Sequence, residues 1–193
     1  MADAPLDMRM DKRSALDAYR VVNEYSESEL KRILWEYGEE RFSGKIAAKI
    51  VAERAKAPIN TTGELVQLIK SVIPTGMRDG GSHPAKRSFQ AIRIEVNKEL
   101  NVIAPAIDSA VNLLDEGGRI AIITFHSLED RIVKLGMAEA SKGCTCPPRL
   151  PVCVCGNKPK VKLIAKKPIT ASDRELEENP RARSAKLRVC EKL

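Results

Sequence analysis

The run Arg119-Ile120-Ala121-Ile122-Ile123-Thr124-Phe125 most constrains what this chain can fold into. It is a compact β-branched segment that follows Gly117-Gly118 and leads directly into a helix-start pattern, whereas the sequence before it is patterned for helices. A run of this length and composition reads as a buried strand, and a buried strand feeding a helix belongs to an α/β sheet. Ser127 reads as the N-cap of the following helix, with Leu128, Ile132 and Leu135 on its apolar side. Glu129 and Asp130 fall in the first turn, where the helix dipole favours acids. Residues 161–165 and 187–190 read as further short strands.

Residues 12–76 read as consecutive helices that bury one another in a small bundle. Ala15, Tyr19 and Val22 form a first stripe. Ser26 and Glu29 make a capping box ahead of Leu30, Ile33, Leu34 and Tyr37, and Gly38 stops that helix. Ile46, Ala47, Ile50, Val51 and Arg54 continue in a third helix that ends before Pro58. Thr61 and Glu64 make a second capping box, opening a helix with Leu65, Leu68, Ile69 and Val72 that ends at Pro74. Residues 77–82 read as a Gly-rich loop, and another helix is expected over about 102–114.

The segment from His83 to Leu100 is a helix with two separate rows. Phe89, Ile92, Val96 and Leu100 would bury one stripe, while Lys86, Gln90, Arg93 and Asn97 form a polar row suited to an anionic ligand or simply to water. His83, before Pro84, reads as a structural residue of the helix start. The chain carries 33 Lys and Arg against 26 Asp and Glu, a net charge of +7. From Lys158 onward eleven basic residues face five acidic ones, so the excess sits in the tail. That is the electrostatic pattern of a protein with a polyanionic partner. The longest apolar run, 120–125, is far short of a membrane span. Five Cys, an odd number, with no export signal at the charged N-terminus point to a reducing cytoplasm rather than a disulfide framework.

Cys144-Thr145-Cys146 and Cys153-Val154-Cys155 flank a Pro-rich stretch that includes Pro147, Pro148 and Pro151. Four thiolates on one irregular loop suit tetrahedral zinc, though C-x-C pairs are less diagnostic than C-x-x-C pairs; a reducible disulfide pair or plain thiols are the alternatives. Cys190, in a strand pattern, reads as a core residue. His126 stands at the carboxyl end of the 119–125 strand, where open α/β sheets bind ligands. A histidine between a strand and a helix cap is also a common turn residue.

The segments 83–100 and Phe125-His126-Ser127-Leu128-Glu129-Asp130-Arg131-Ile132-Val133-Lys134 closely resemble the bacterial RsmH (MraW) family of ribosomal RNA methyltransferases. So do Leu6-Asp7-Met8-Arg9-Met10-Asp11, Tyr37-Gly38-Glu39-Glu40-Arg41-Phe42, the Cys-rich loop, and Asn179-Pro180-Arg181-Ala182-Arg183-Ser184-Ala185-Lys186-Leu187-Arg188. The six segments occur in the family's order and cover essentially the whole chain.

The resemblance implies a Rossmann-like, S-adenosylmethionine-dependent α/β methyltransferase domain, incomplete here, interrupted by an all-α helical-bundle insertion. Residues 1–11 would be a remnant of the methyltransferase core and 12–76 the insertion. Residues 83–193 would be the C-terminal part of the α/β domain, with the Cys-rich loop at 143–158 and the basic tail. No glycine-rich strand-to-helix turn of the cofactor-binding type occurs, so no cofactor-binding residues are expected in this chain, and S-adenosylmethionine would belong to the complete enzyme.

The implied reaction is methylation of the N4 amine of a cytosine in small-subunit (16S) ribosomal RNA, with this chain alone inactive. The alternative is a non-enzymatic RNA-binding or zinc-stabilised module. The amine shares its lone pair with the ring, so attack on a sulfonium methyl needs a proton acceptor; Asp7, Asp11 and His126 are the candidates. Asp7 and Asp11 read equally as a pocket rim or as an exposed terminus. The expected RNA contacts are Lys86, Arg87, Gln90, Arg93, Asn97, Arg131, Arg181 and Arg183, with ribosomal RNA or the ribosomal subunit as partner in the cytoplasm. No membrane association is expected, and no oligomeric state is implied.

Overall fold

The computed structural model describes residues 3–74, 83–147, 152 and 154–193. The expected loop at 77–82, Pro148, Pro151 and Cys153 lie outside the described residues. The chain forms two compact units, Met1–Glu99 and Leu100–Leu193. The division falls at the end of the 83–100 segment, between Glu99 and Leu100.

The first unit is built from α1 (Ala18–Glu24), α2 (Glu27–Glu36), α3 (Ser43–Arg54), α4 (Thr62–Val72) and α5 (Lys86–Asn97). Both capping boxes form. Glu29 N–H donates to Ser26 Oγ at 3.3 Å, and Glu64 N–H to Thr61 Oγ1 at 3.2 Å. Each satisfies a donor that a helix start otherwise leaves open. Asp17 caps α1 by accepting from Arg20 N–H at 2.8 Å, so α1 begins at Ala18 and Ala15, expected in the first stripe, stays exposed outside it. Val21, Val22, Leu30, Ile33, Leu34, Ile46, Ile50, Leu65, Ile69, Ala91 and Ile92 close the core. Each large side chain buried this way contributes about 1.5–3 kcal/mol. Ala91, Ile92 and Val96 of α5 pack into this core against α1 and α2, which is why α5 belongs with the helical unit.

The Tyr37–Phe42 motif has a packing role. A Cβ on Gly38 would sit 2.7 Å from the carbonyl oxygens of both Leu34 and Arg87, so only glycine lets α5 approach the end of α2 this closely. Glu40 is buried and accepts from Phe42 N–H at 3.0 Å, leading into α3. The Arg54 guanidinium donates to the carbonyls of Val22 and Tyr25 at the end of α1.

The second unit contains α6 (Ile103–Leu113), β1 (Arg119–Thr124), α7 (Ser127–Ala140), β2 (Val161–Leu163), β3 (Ile169–Thr170), α8 (Asp173–Glu178), a 3-10 turn (Pro180–Ser184) and β4 (Lys186–Lys192). β4 lies between β1 and β2 and runs antiparallel to both; β3 also pairs with β4. The register sets Ile120 opposite Cys190, and these two join Ile107, Val111, Val133, Met137 and Val161 in one core. The strand at 119–125 is therefore buried on one face rather than throughout. On its other face Ala121 pairs with Val189 and Ile123 with Leu187, and Ile123 remains 58% exposed. Leu135 is likewise exposed, because the inward face of α7 is set by Val133 and Met137 and includes the carboxylate of Asp130.

Candidate nucleic-acid interface and catalytic residues

Residues 3–11 are strapped onto the helical unit and do not form a loose terminus. Leu6 is buried, its N–H donates to Asn60 O at 3.0 Å, and its carbonyl accepts from Tyr19 N–H at 2.9 Å. Asn97 of α5 clamps the same segment. Its Nδ2 donates to Met8 O at 2.9 Å and its Oδ1 accepts from Met10 N–H at 2.8 Å. Met8 takes a φ of 58°, a conformation such paired neighbours hold in place.

The strap and α5 together border a groove of about 480 Å3, lined by Ala4, Met8, Thr62, Lys86, Phe89, Gln90 and Arg93. Phe89, expected in the buried stripe, is only half-buried and contributes to this lining. The helix turns a different face inward, with Ser88, Ala91 and Glu95 buried alongside Ile92 and Val96. Glu95 accepts from the Tyr25 hydroxyl at 2.8 Å and pairs with Lys98 at 2.7 Å. Burial acts to raise its pKa, but Lys98 and Tyr25 outweigh that and hold it below the usual carboxylate range.

Of the expected polar row, Lys86 and Arg93 stay exposed, while Gln90 and Asn97 are engaged within the protein. Gln90 Nε2 donates to Tyr37 O at 3.1 Å, and Arg93 forms a two-bonded pair with Glu99 at 2.9 and 3.0 Å. Arg87, also exposed, donates to Glu39 O at 3.2 Å. A thioether and an aromatic ring lining one groove with cationic side chains suit a base together with its phosphate.

The three candidate proton acceptors differ in environment. The Arg9 guanidinium, with Lys12, holds the Asp7 carboxyl well below the usual carboxylate range, at contacts of 2.8 and 2.6 Å. Arg9 also donates to the carbonyls of Lys12 and Ser14, so the Asp7–Arg9 pair organises the loop after the strap. Arg13 lowers the exposed Asp11 in the same way. His126, in the second unit, is itself the N-cap of α7. Its Nδ1 accepts from Glu129 N–H at 3.4 Å, while Glu129 Oε2 accepts from the N–H groups of Phe125 and His126. Ser127 is thus the first helical residue and not the cap. The imidazole fills the position usually taken by a hydroxyl or carboxylate. Its Nε2 is buried 3.2 Å from Glu129 Oε1, in a geometry that makes no hydrogen bond.

Two features escaped sequence reasoning. Asp130, read as a first-turn acid, is buried and accepts from Arg188 at 2.7 and 3.1 Å and from Lys186 at 3.3 Å, tying α7 to β4. Arg188 is the leading cause of its depressed pKa. The place of Phe89 in the groove lining was hidden because apolar residues at helical spacing default to a core.

Arg181 and Arg183 lie exposed on the 3-10 turn, and Arg131 is exposed on α7. Cys144, Cys146 and Cys155 come together, with their sulfurs all within 4.8 Å of one another. Hydrogen bonds from the N–H groups of Val154 and Cys155 hold the Cys146 thiol below its ordinary pKa.

The sequence pattern of the MraW methylase family matches residues 1–193. The chain belongs to that family. It is 59% identical over 192 residues to a ribosomal RNA small subunit methyltransferase H of Brevibacillus brevis, and 60% identical over 193 residues to one of Clostridium botulinum. A third, from Heliobacterium modesticaldum, is 56% identical over 191 residues. These alignments cover 99–100% of this chain, which spans 61–62% of the length of those relatives. The family is one of S-adenosylmethionine-dependent methyltransferases, and the mixed α/β second unit with its small sheet agrees with such a fold. Among the described residues no helix is long and apolar enough to cross a membrane.

A glycine turn from strand to helix is a common nucleotide-binding device in α/β folds. Neither strand-to-helix connection here, β1 to α7 or β3 to α8, contains a glycine, and Asp130 is occupied by Arg188 and Lys186.

Proposed function

We propose that this chain is the RNA-facing portion of a cytoplasmic enzyme that methylates the N4 amine of a cytosine in small-subunit (16S) ribosomal RNA. The supporting observation is the groove on the helical unit, which Lys86 and Arg93 line together with Met8 and Phe89. In this reading residues 12–76 form an insertion in the methyltransferase domain that shapes the RNA surface. Lys86, Gln90 and Arg93 receive the target nucleotide, and Arg87, Arg131, Arg181 and Arg183 contact neighbouring phosphates. Asn97 serves by clamping the strap that carries Asp7 and Asp11. A carboxylate already held by a guanidinium is a weak base, so Asp7 and Asp11 act by positioning. His126 acts by positioning as well: its Nδ1 lone pair takes the Glu129 N–H at the start of α7, which leaves the ring proton on a buried Nε2.

In cells deleted for their own enzyme, the natural gene containing this sequence should restore N4-methylcytosine, read by mass spectrometry of digested small-subunit RNA. Lys86→Ala with Arg93→Ala should lower that signal strongly. Unchanged methylation would overturn the groove assignment, and no N4-methylcytosine from the wild-type gene would leave a non-enzymatic RNA-binding module. The chain by itself should bind single-stranded RNA with a log-log salt slope of about −0.7 per phosphate contacted, and Arg181→Ala with Arg183→Ala should flatten it by roughly one to two units.

A further inference from the structure

The excursion between α7 and β2 poses a stability problem. None of the described residues from Lys142 to Lys160 is buried, and Val152 and Val154 are 70% and 77% exposed, so no apolar core orders these described residues. A long loop without secondary structure inside a compact unit is uncommon unless something else holds it. Its ends are joined: Lys160 N–H donates to Ala140 O at 2.8 Å, and Asn157 Nδ2 reaches Gly143 O at 2.8 Å and Lys142 O at 3.3 Å. Inside this closed base the structure concentrates sulfur.

Cys144 Sγ and Cys155 Sγ are 3.7 Å apart, and Cys146 Sγ completes the group within 4.8 Å. A tetrahedron of Zn–S bonds of about 2.3 Å has an edge of about 3.8 Å, whereas a disulfide needs about 2.05 Å. The observed separation matches that edge and is far too long for a disulfide. Backbone donors converge on the same sulfurs. Thr145 N–H and Asn157 N–H point at Cys155 Sγ at 3.4 and 3.5 Å, and Val154 N–H points at Cys146 Sγ at 3.4 Å. Amides aimed at sulfur stabilise thiolates rather than thiols, which is the state a metal requires. Gly156, with a φ of 63°, makes the left-handed turn that returns the chain after Cys155.

We propose that Cys144, Cys146 and Cys155 bind one zinc ion as a structural site that holds the described residues 142–147 and 154–160 together. Three thiolates occupy three corners, and a fourth donor, water included, completes the tetrahedron. The site stands independently of the proposed RNA chemistry. An ordered loop would hold Lys142, Lys158 and Lys160 fixed along the groove they line with Asp108 and Glu139.

The test uses the whole chain purified without chelator. Elemental mass spectrometry should find about one zinc per chain. Replacement by cobalt(II) should give the intense thiolate-to-metal absorption of a tetrahedral site. Cys144→Ser and Cys155→Ser should each abolish that absorption, and Cys146→His should keep a metal with a shifted spectrum, since zinc also accepts imidazole. Asn157→Ala, which only loosens the loop base, should weaken binding by roughly 10–100-fold. Cys190→Ala, outside the loop, should leave the stoichiometry unchanged. In hydrogen exchange, adding zinc to chelator-treated protein should protect the amides of Thr145, Val154 and Asn157. Negligible zinc with no cobalt spectrum would overturn the proposal, as would a mass showing a Cys144–Cys155 disulfide in protein purified under reducing conditions.

Discussion

Removing the carboxylate of Asp130 should destabilise the second unit by about 3 kcal/mol. Asp130 and Arg188 are each only 11% exposed at the side chain and share two hydrogen bonds, while Lys186 is 41% exposed. Deleting one member of a buried pair costs about 3–5 kcal/mol because the partner charge is stranded. Here Lys186 can return to water and only the Arg188 guanidinium is trapped, which places Asp130→Asn at the lower end. In a domain of this size that corresponds to a fall in Tm of roughly 12–24 °C. Calorimetry measures the shift, and hydrogen exchange in α7 and β4 locates it. Adding Arg188→Met should recover much of the loss, since an apolar replacement of a buried pair is often close to neutral. The pH dependence has a defined sign. Arg188 and Lys186 depress the folded-state pKa of Asp130, so its contribution is complete above the unfolded value of about 3.9 and is lost as pH falls through the folded value. Asp130→Asn should lack that acid-side loss. A single variant within about 0.5 kcal/mol of wild type, or a double variant no more stable than the single, would refute the reasoning.

His126→Ala should cost about 0.5–1 kcal/mol in denaturant unfolding by uncapping α7, while His126→Ser should restore most of it; equal losses would show that the ring does not act as a cap. Burial and the Glu95 carboxylate push the Tyr25 phenol up to about 12, so an absorbance titration should show a late-ionising tyrosine that Tyr25→Phe removes. Its stabilising effect is then present below pH 10 or so and lost as pH rises through about 12. A Tyr25→Phe titration that still shows a late-ionising tyrosine would contradict the assignment. Gly38→Ala should cost about 1–3 kcal/mol, because its Cβ meets two backbone carbonyls that cannot move independently. Wild-type stability in that variant would mean that α2 and α5 are not tightly apposed.

Local order was legible in the residues. The two capping boxes, the breaks at Gly38 and Pro58, and the strand after Gly117-Gly118 follow from hydrogen-bonding geometry within a few residues, and all form. The family was also legible, carried by six ordered segments. What required the tertiary structure is where distant segments meet. Phe89 and Glu95 sit on one helix, and periodicity assigns the first to the buried stripe and the second to neither row. The structure sends Phe89 toward the groove and buries Glu95, because Tyr25 and Lys98 supply the partners that make a buried carboxylate affordable. The imidazole of His126 displaces Ser127 as the cap by a single position, a choice set by backbone angles and not by composition. Asp130 could be recognised as a first-turn acid, but its pairing with Arg188 spans 58 positions along the chain and exists only once β4 inserts between β1 and β2. Short-range hydrogen bonds are written in neighbouring residues; the burial and pairing of charges are settled by which surfaces the fold brings together.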